Sequence, residues 1–171
     1  MSKICTKCEV EKPVSEFGSS APTSSGYNSW CKQCCRDASK RHGESPSGIY
    51  STLKGRSKYR KNNPQRYRTY HQVNINRREF IEWYEGQAKQ CAYCDIPEEH
   101  LNKIDDRYNN LYYRLVIDCM NNDEGYTKGN IVLSCSRCNS TKSDFFTYEE
   151  MVEIAQKYIK PSWMNKMREL R

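Results

Sequence analysis

The chain has 171 residues, 36% of them hydrophobic, and a formal net charge of +7. That length suits one medium domain or two small ones, and the low apolar content argues against a single large core. No apolar run nears the ~20 residues needed to cross a bilayer, and Met1-Ser2-Lys3-Ile4-Cys5 leads at once into a cysteine pair rather than an export signal. The expected setting is therefore intracellular and reducing, where the ten cysteines read as metal ligands rather than disulfide partners. The positive charge favours an acidic polymer as partner.

In chain order, residues 1–40 carry Cys5-Thr6-Lys7-Cys8 and Cys31-Lys32-Gln33-Cys34. Two Cys-x-x-Cys pairs at this separation predict a four-thiolate tetrahedral zinc site. Cys35 reads as a spare thiol or as a replacement for Cys34. The Ser/Gly/Pro-rich stretch from Pro13 to Asn28 reads as loop with room for one hairpin.

Residues 41–88 form a basic, tyrosine-rich arm. From Arg36 to Arg78 there are twelve Lys or Arg against two acids, Asp37 and Glu44, with Tyr50, Tyr59, Tyr67 and Tyr70 interleaved. Clustered cations neutralise phosphates and tyrosine rings stack on bases. The expected phosphate contacts are Arg56, Lys58, Arg60, Lys61, Arg66, Arg68, Arg77 and Arg78. A short helix around Ile49, Tyr50 and Leu53 should stop before Asn62-Asn63-Pro64. Asn76-Arg77-Arg78-Glu79 fits a capping box that opens a helix through Gln87, with Phe80, Ile81, Trp83 and Tyr84 on its core face.

Residues 89–147 hold the third and fourth pairs, Cys91-Ala92-Tyr93-Cys94 and Cys135-Ser136-Arg137-Cys138. Between them lies a polar, irregular stretch, 95–111, whose Asn-rich part (102–110) has no assignable role. Arg114 to Asp118 reads as a strand, Asn121 to Gly129 as a Gly-containing turn, and Ile131 to Leu133 as the returning strand. A short helix should start at Asn139. In residues 148–171, a capping box at Thr147 and Glu150 opens an amphipathic helix expected to end near Ile159, before Pro161. The fold class is α+β: small zinc-stabilised modules around a two-strand-and-helix core with flanking helices.

The segment from about Phe80 to Met151, best matched from Leu115 through Asp144, resembles the HNH (ββα-metal) endonuclease family in its residues and its two cysteine pairs. A zinc ribbon like that of Lys3 to His42 precedes the same unit in phage and mobile-element members. The resemblance implies a structural zinc on Cys91, Cys94, Cys135 and Cys138, with a second on the first four-cysteine set (Cys5, Cys8, Cys31, Cys34). It implies a catalytic Mg²⁺ or Mn²⁺ held by Asp118 and Asn139. Asn130 would brace the turn and orient the general base, which in the family is a His directly after the acid. Here that position is Cys119. A thiol, with a reference pKa of ~8.5, is a poor match for that task near neutral pH, and three roles stay open. Cys119 is structural with water activated by another group, or it marks a degenerate site, or it is itself a base or soft-metal ligand. His100 could fold over the site or stay an exposed loop residue; His42 and His71, in the basic region, read as touching phosphate or solvent. Lys128, Arg137 and Lys142 flank the site as expected phosphate contacts. The implied activity is metal-dependent hydrolysis of phosphodiester bonds in double-stranded DNA, as a nick. The alternative is a degenerate relative that binds nucleic acid without cutting.

Overall fold

Both sets of four cysteines are built in the same two-part way. The first pair of each set sits on a tight knuckle. Cys5 N–H donates to the Val10 carbonyl and Glu9 N–H to the Cys5 carbonyl; Cys91 N–H and Asp95 N–H repeat this with Ile96 and Cys91. The residue after each knuckle, Glu9 or Asp95, turns the chain at a positive φ of 59°. The second pair of each set opens a helix. Cys31 and Cys135 are the N-caps, and their Sγ atoms accept from Cys34 N–H and Cys138 N–H. A thiolate there meets the positive end of the helix dipole.

The computed structural model describes residues 1–67, 70–101, 103 and 114–169. Arg68 and the Asn-rich insert, apart from Lys103, lie outside them. The described chain is α+β and divides into two units, Met1–Thr52 and Leu53–Arg171.

In the first unit, β1 (Ser2–Ile4) pairs antiparallel with β2 (Glu11–Pro13), and β3 (Phe17–Ser19) with β4 (Tyr27–Cys31). Helix α1 (Lys32–Glu44) follows. Its small core is Cys5, Phe17 and Cys31, with Tyr27, Trp30 and Cys34 packed against it. So little apolar surface leaves metal as the natural staple. Helix α1 was not expected from the sequence. None of its residues is buried, so no apolar stripe marks it. Helix α2 (Pro46–Lys61) starts earlier than the expected helix, with Pro46 in the first turn, where its missing N–H costs nothing.

The second unit opens with the rest of α2. Helix α3 (Arg77–Glu85) carries the expected capping box, with Asn76 and Glu79 bonded reciprocally. Phe80 and Tyr84 are buried one turn apart and stack at 6.0 Å, while Trp83 is only half-buried. Helix α4 (Glu98–Leu101) precedes the central hairpin. There β5 (Val116–Cys119) pairs antiparallel with β6 (Ile131–Ser134), Asp118 opposite Val132 and Cys119 opposite Ile131. Helix α5 (Ser136–Lys142) starts three residues before the expected Asn139, because Cys135 itself caps it. Leu115, Ile117, Ile131 and Leu133 are buried, as are Met151, Ala155, Ile159 and Trp163 of the C-terminal helices.

The expected stop before Pro161 does not occur. Helix α6 (Tyr148–Ile154) runs into a π-helical turn at Ala155–Ile159 and then into α7 (Lys160–Glu169). A proline inside an α-helix loses one hydrogen bond and clashes with the carbonyl four residues back. The π turn changes the bonding register just before Pro161, placing the proline in the first turn of a new helix.

Candidate active site

In each cysteine set the four Sγ atoms all lie within 4.8 Å of one another. Cys94 and Cys135 Sγ are 3.8 Å apart, as are Cys5 and Cys34 Sγ. Sulfurs around a tetrahedral zinc at Zn–S of about 2.3 Å are spaced by about 3.8 Å, whereas a disulfide needs about 2.05 Å. Both sets therefore fit structural zinc. Cys34, not Cys35, completes the first; the Cys35 thiol points at the Trp30 carbonyl, 3.9 Å away. Burial opposes ionisation of Cys5, but backbone N–H groups of Cys31, Cys8 and Lys7 overcome it and hold its thiol at about 6. In the second set the neighbouring thiols push Cys91 and Cys135 down and Cys94 and Cys138 up. Four thiols this close can all ionise only around a cation.

The second set anchors the β5–β6 hairpin, since Ala92 N–H donates to the Leu133 carbonyl at 2.8 Å. On β5, Asp118 is 8% exposed. The hydroxyl of Tyr93, inside the Cys91–Cys94 knuckle, donates to Asp118 Oδ2 at 2.8 Å. Zinc knuckle and carboxylate are thus tied by one hydrogen bond. Burial pushes the Asp118 carboxyl up from its ordinary value; the Tyr93 hydroxyl, Lys142, the Cys119 N–H and His71 pull it down. A buried carboxylate in that balance is well suited to a hard cation beside it.

Asn130 is 3% exposed and locks the turn after β5. Its Oδ1 accepts from Asn121 N–H at 2.8 Å, and its Nδ2 donates to the carbonyls of Asn121 at 2.6 Å and Gly125 at 2.7 Å. From helix α5, Lys142 reaches this turn. Asn139 and Lys142 are one turn apart and share a face, and the charge of Lys142 reaches Asp118.

Two expectations need correction. Lys142 was read as a phosphate contact. It is fully buried, with Nζ 3.2 Å from Asn122 Oδ1, so its ammonium serves the turn and not the surface. Cys119 was left open as a base or soft-metal ligand. It is 1% exposed, and burial, followed by the Asp118 charge, pushes its thiol up to about 12. Its thiol is packed inside the unit and closed to water.

Other expected residues are placed as follows. Arg56, Lys58, Arg60, Lys61 and Arg66 are exposed on and after α2. Several are matched with tyrosines: Arg60 over Tyr67 at 5.3 Å, Lys61 over Tyr70 at 5.9 Å, Arg66 Nη1 donating to the Tyr59 hydroxyl at 3.4 Å. Burial pushes the Tyr126 hydroxyl up, and Arg60 and Arg56 are the charges that oppose it; this side of α2 therefore lies by the hairpin turn. Arg77 and Arg78 sit in the first turn of α3, with Arg78 Nε 3.7 Å from Glu82. Lys128 is exposed in the turn. The Arg137 guanidinium lies over the Trp163 ring at 4.5 Å. His100 is on α4, 3.6 Å from Glu99.

His71, expected from sequence to touch phosphate or solvent, lies against the turn after β5. His71 Nδ1 is 2.9 Å from the Asn122 carbonyl, and its ring meets Tyr126 edge-on at 5.9 Å. The segment after it runs beside the turn, with Tyr126 N–H donating to the Gln72 carbonyl at 2.8 Å and Asn74 N–H to the Tyr126 carbonyl at 3.0 Å. The partners His71 and Asn122 are 51 positions apart, so no local pattern reveals them.

No protein-family model matches the chain, and no curated protein does. A solved structure of the rare-cutting HNH restriction endonuclease PacI, a protein that perturbs DNA, is similar, with a TM-score of 0.53 and 22% identity over 95% of this chain and 96% of that one. At that identity the likeness establishes the fold. The chain has an HNH-endonuclease-like fold with two four-cysteine clusters. Among the described residues, no helix is long and apolar enough to cross a membrane.

Proposed function

We propose that the chain is a metal-dependent endonuclease that hydrolyses phosphodiester bonds in double-stranded DNA, nicking one strand per site. The observation that carries this reading is the buried Asp118, held through Tyr93 to a four-cysteine knuckle, in a fold like that of an HNH endonuclease. Asp118 and Asn139 would hold a Mg²⁺ or Mn²⁺ ion. Bound there, such an ion supplies charge stabilisation at the scissile phosphate and the leaving oxygen. The chain's own groups do the rest. Asn130 fixes the turn, Tyr93 orients the carboxylate, and the exposed cations of α2 bind the phosphate backbone. Both zinc sites would be structural, since four thiolates fill each coordination sphere.

Supercoiled plasmid with Mg²⁺ or Mn²⁺ tests this. The expected result is conversion to open circles by the wild type and none by Asp118→Ala, with zinc content equal in both. No conversion by zinc-loaded wild type with either ion contradicts it. The burial of Cys119, where the family places its base, favours a second reading: a protein that binds DNA through the same surface and leaves it intact.

A further inference from the structure

We propose that His71 is the group that takes the proton from the attacking water. This rests on the nuclease reading above and supplies a proton acceptor open to water, which the buried Cys119 is not.

Three features of the geometry point to His71. The first is its tautomer. A carbonyl oxygen only accepts, so the 2.9 Å contact between His71 Nδ1 and the Asn122 carbonyl places the ring proton on Nδ1. In the neutral ring Nε2 then holds the lone pair. An imidazole oriented through one nitrogen and basic at the other is the arrangement a general base needs.

The second is how firmly it is held. The Ser57 hydroxyl of α2 donates to the His71 carbonyl at 2.7 Å, and residues 72 to 74 bond to Tyr126 on the far side. Asn122, whose carbonyl accepts this bond, is fixed in turn. Its Oδ1 accepts from Lys142 and its Nδ2 donates to the Ser143 carbonyl at 3.0 Å. Asn121 beside it is locked by Asn130 on both backbone groups. The buried Lys142 thus has a role: it secures the turn that orients the histidine.

The third is place. Asn122 lies four residues after Asp118, on the turn that leaves β5. His71 is therefore joined by one hydrogen bond to the turn that the Asp118 strand leads into. The ring is half-buried, leaving it open to water. Among the other described histidines, His42 belongs to the first unit, and His100 faces Glu99.

In the step itself, His71 Nε2 accepts one proton from water as the water oxygen bonds to phosphorus. The bond from phosphorus to O3′ breaks, and its electron pair leaves on O3′, which takes a proton from solvent. His71 then returns its proton to solvent. The products are a 5′-phosphate and a 3′-hydroxyl, with one water consumed.

The test is nicking of supercoiled plasmid by the full zinc-loaded chain with Mn²⁺. It compares wild type, Asp118→Ala, His71→Ala and His71→Asn, with and without added imidazole. Asparagine can still donate to the Asn122 carbonyl but has no basic nitrogen, so it separates proton transfer from mere support of the turn. The expected result is a rate loss on the order of 10²-fold or more in both His71 variants, with zinc content and DNA affinity unchanged. Imidazole should restore His71→Ala at least about tenfold, within the usual span of general-base effects, and leave Asp118→Ala inactive. A His71→Asn protein that cuts as fast as wild type, or a His71→Ala protein that imidazole does not rescue, overturns the role of His71 and leaves the nuclease reading standing. Absence of cutting by wild type overturns both.

Discussion

At the scale of single residues, the site is a set of buried polar groups that satisfy one another. Tyr93 is fully buried, and its hydroxyl has Asp118 as partner. Replacing Tyr93 by Phe leaves a buried carboxylate one donor short, which costs roughly 1–3 kcal/mol. Urea denaturation of zinc-loaded Tyr93→Phe should show that loss, and a stability equal to wild type would mean that the bond contributes nothing. The place of Asp118 on a strand was legible because its signals are local: a run of Val and Ile, a Gly/Asn turn, and a cysteine pair at fixed spacing. Lys142 is misread from sequence for the opposite reason. A lysine just after a cysteine pair looks like surface, and nothing near it in sequence says that Asn122 will cover it. The partner of His71 is likewise set by tertiary packing.

At the scale of elements, Gly125 decides whether the His71 segment can dock. Its φ is +64°, and a Cβ there would lie 2.6 Å from the Gln72 carbonyl oxygen. Gly125→Ala therefore meets both backbone strain and a backbone clash. We expect it to destabilise the protein by at least about 1 kcal/mol and to speed amide exchange at Tyr126 and Asn74, the two N–H groups that join the segments. Unchanged exchange at both amides would show that the docking does not depend on this glycine. The capping boxes at Asn76 and Thr147 were legible because each is four consecutive residues. Helix α1 was not, lacking a buried face, and the passage through Pro161 was not, because a π turn has no sequence pattern of its own.

At the scale of the whole molecule, metal takes the place of a large core in both units, and it does so unequally. In the first cluster Cys8 is exposed and Cys34 half-buried, whereas all four cysteines of the second are buried. A chelator should therefore strip zinc in two phases. The first phase should be accompanied by a change in the fluorescence of Trp30, which packs against the first cluster. The second should bring loss of the β5–β6 hairpin and of any cutting activity. Release in a single phase would show that the two clusters are equally held. The two-cluster plan was readable from cysteine spacing alone. The division at Thr52 and Leu53 was not, because α2 runs through it as one helix.

On the proposed reading, Asp118 holds a divalent ion distinct from the two structural zincs. The most direct measurement is the Mn²⁺ bound by zinc-loaded protein on duplex DNA, counted by electron paramagnetic resonance, in wild type and in Asp118→Asn. We expect one Mn²⁺ per chain in wild type and none in the variant, with two zincs retained in both. Equal Mn²⁺ binding by the two proteins would contradict it.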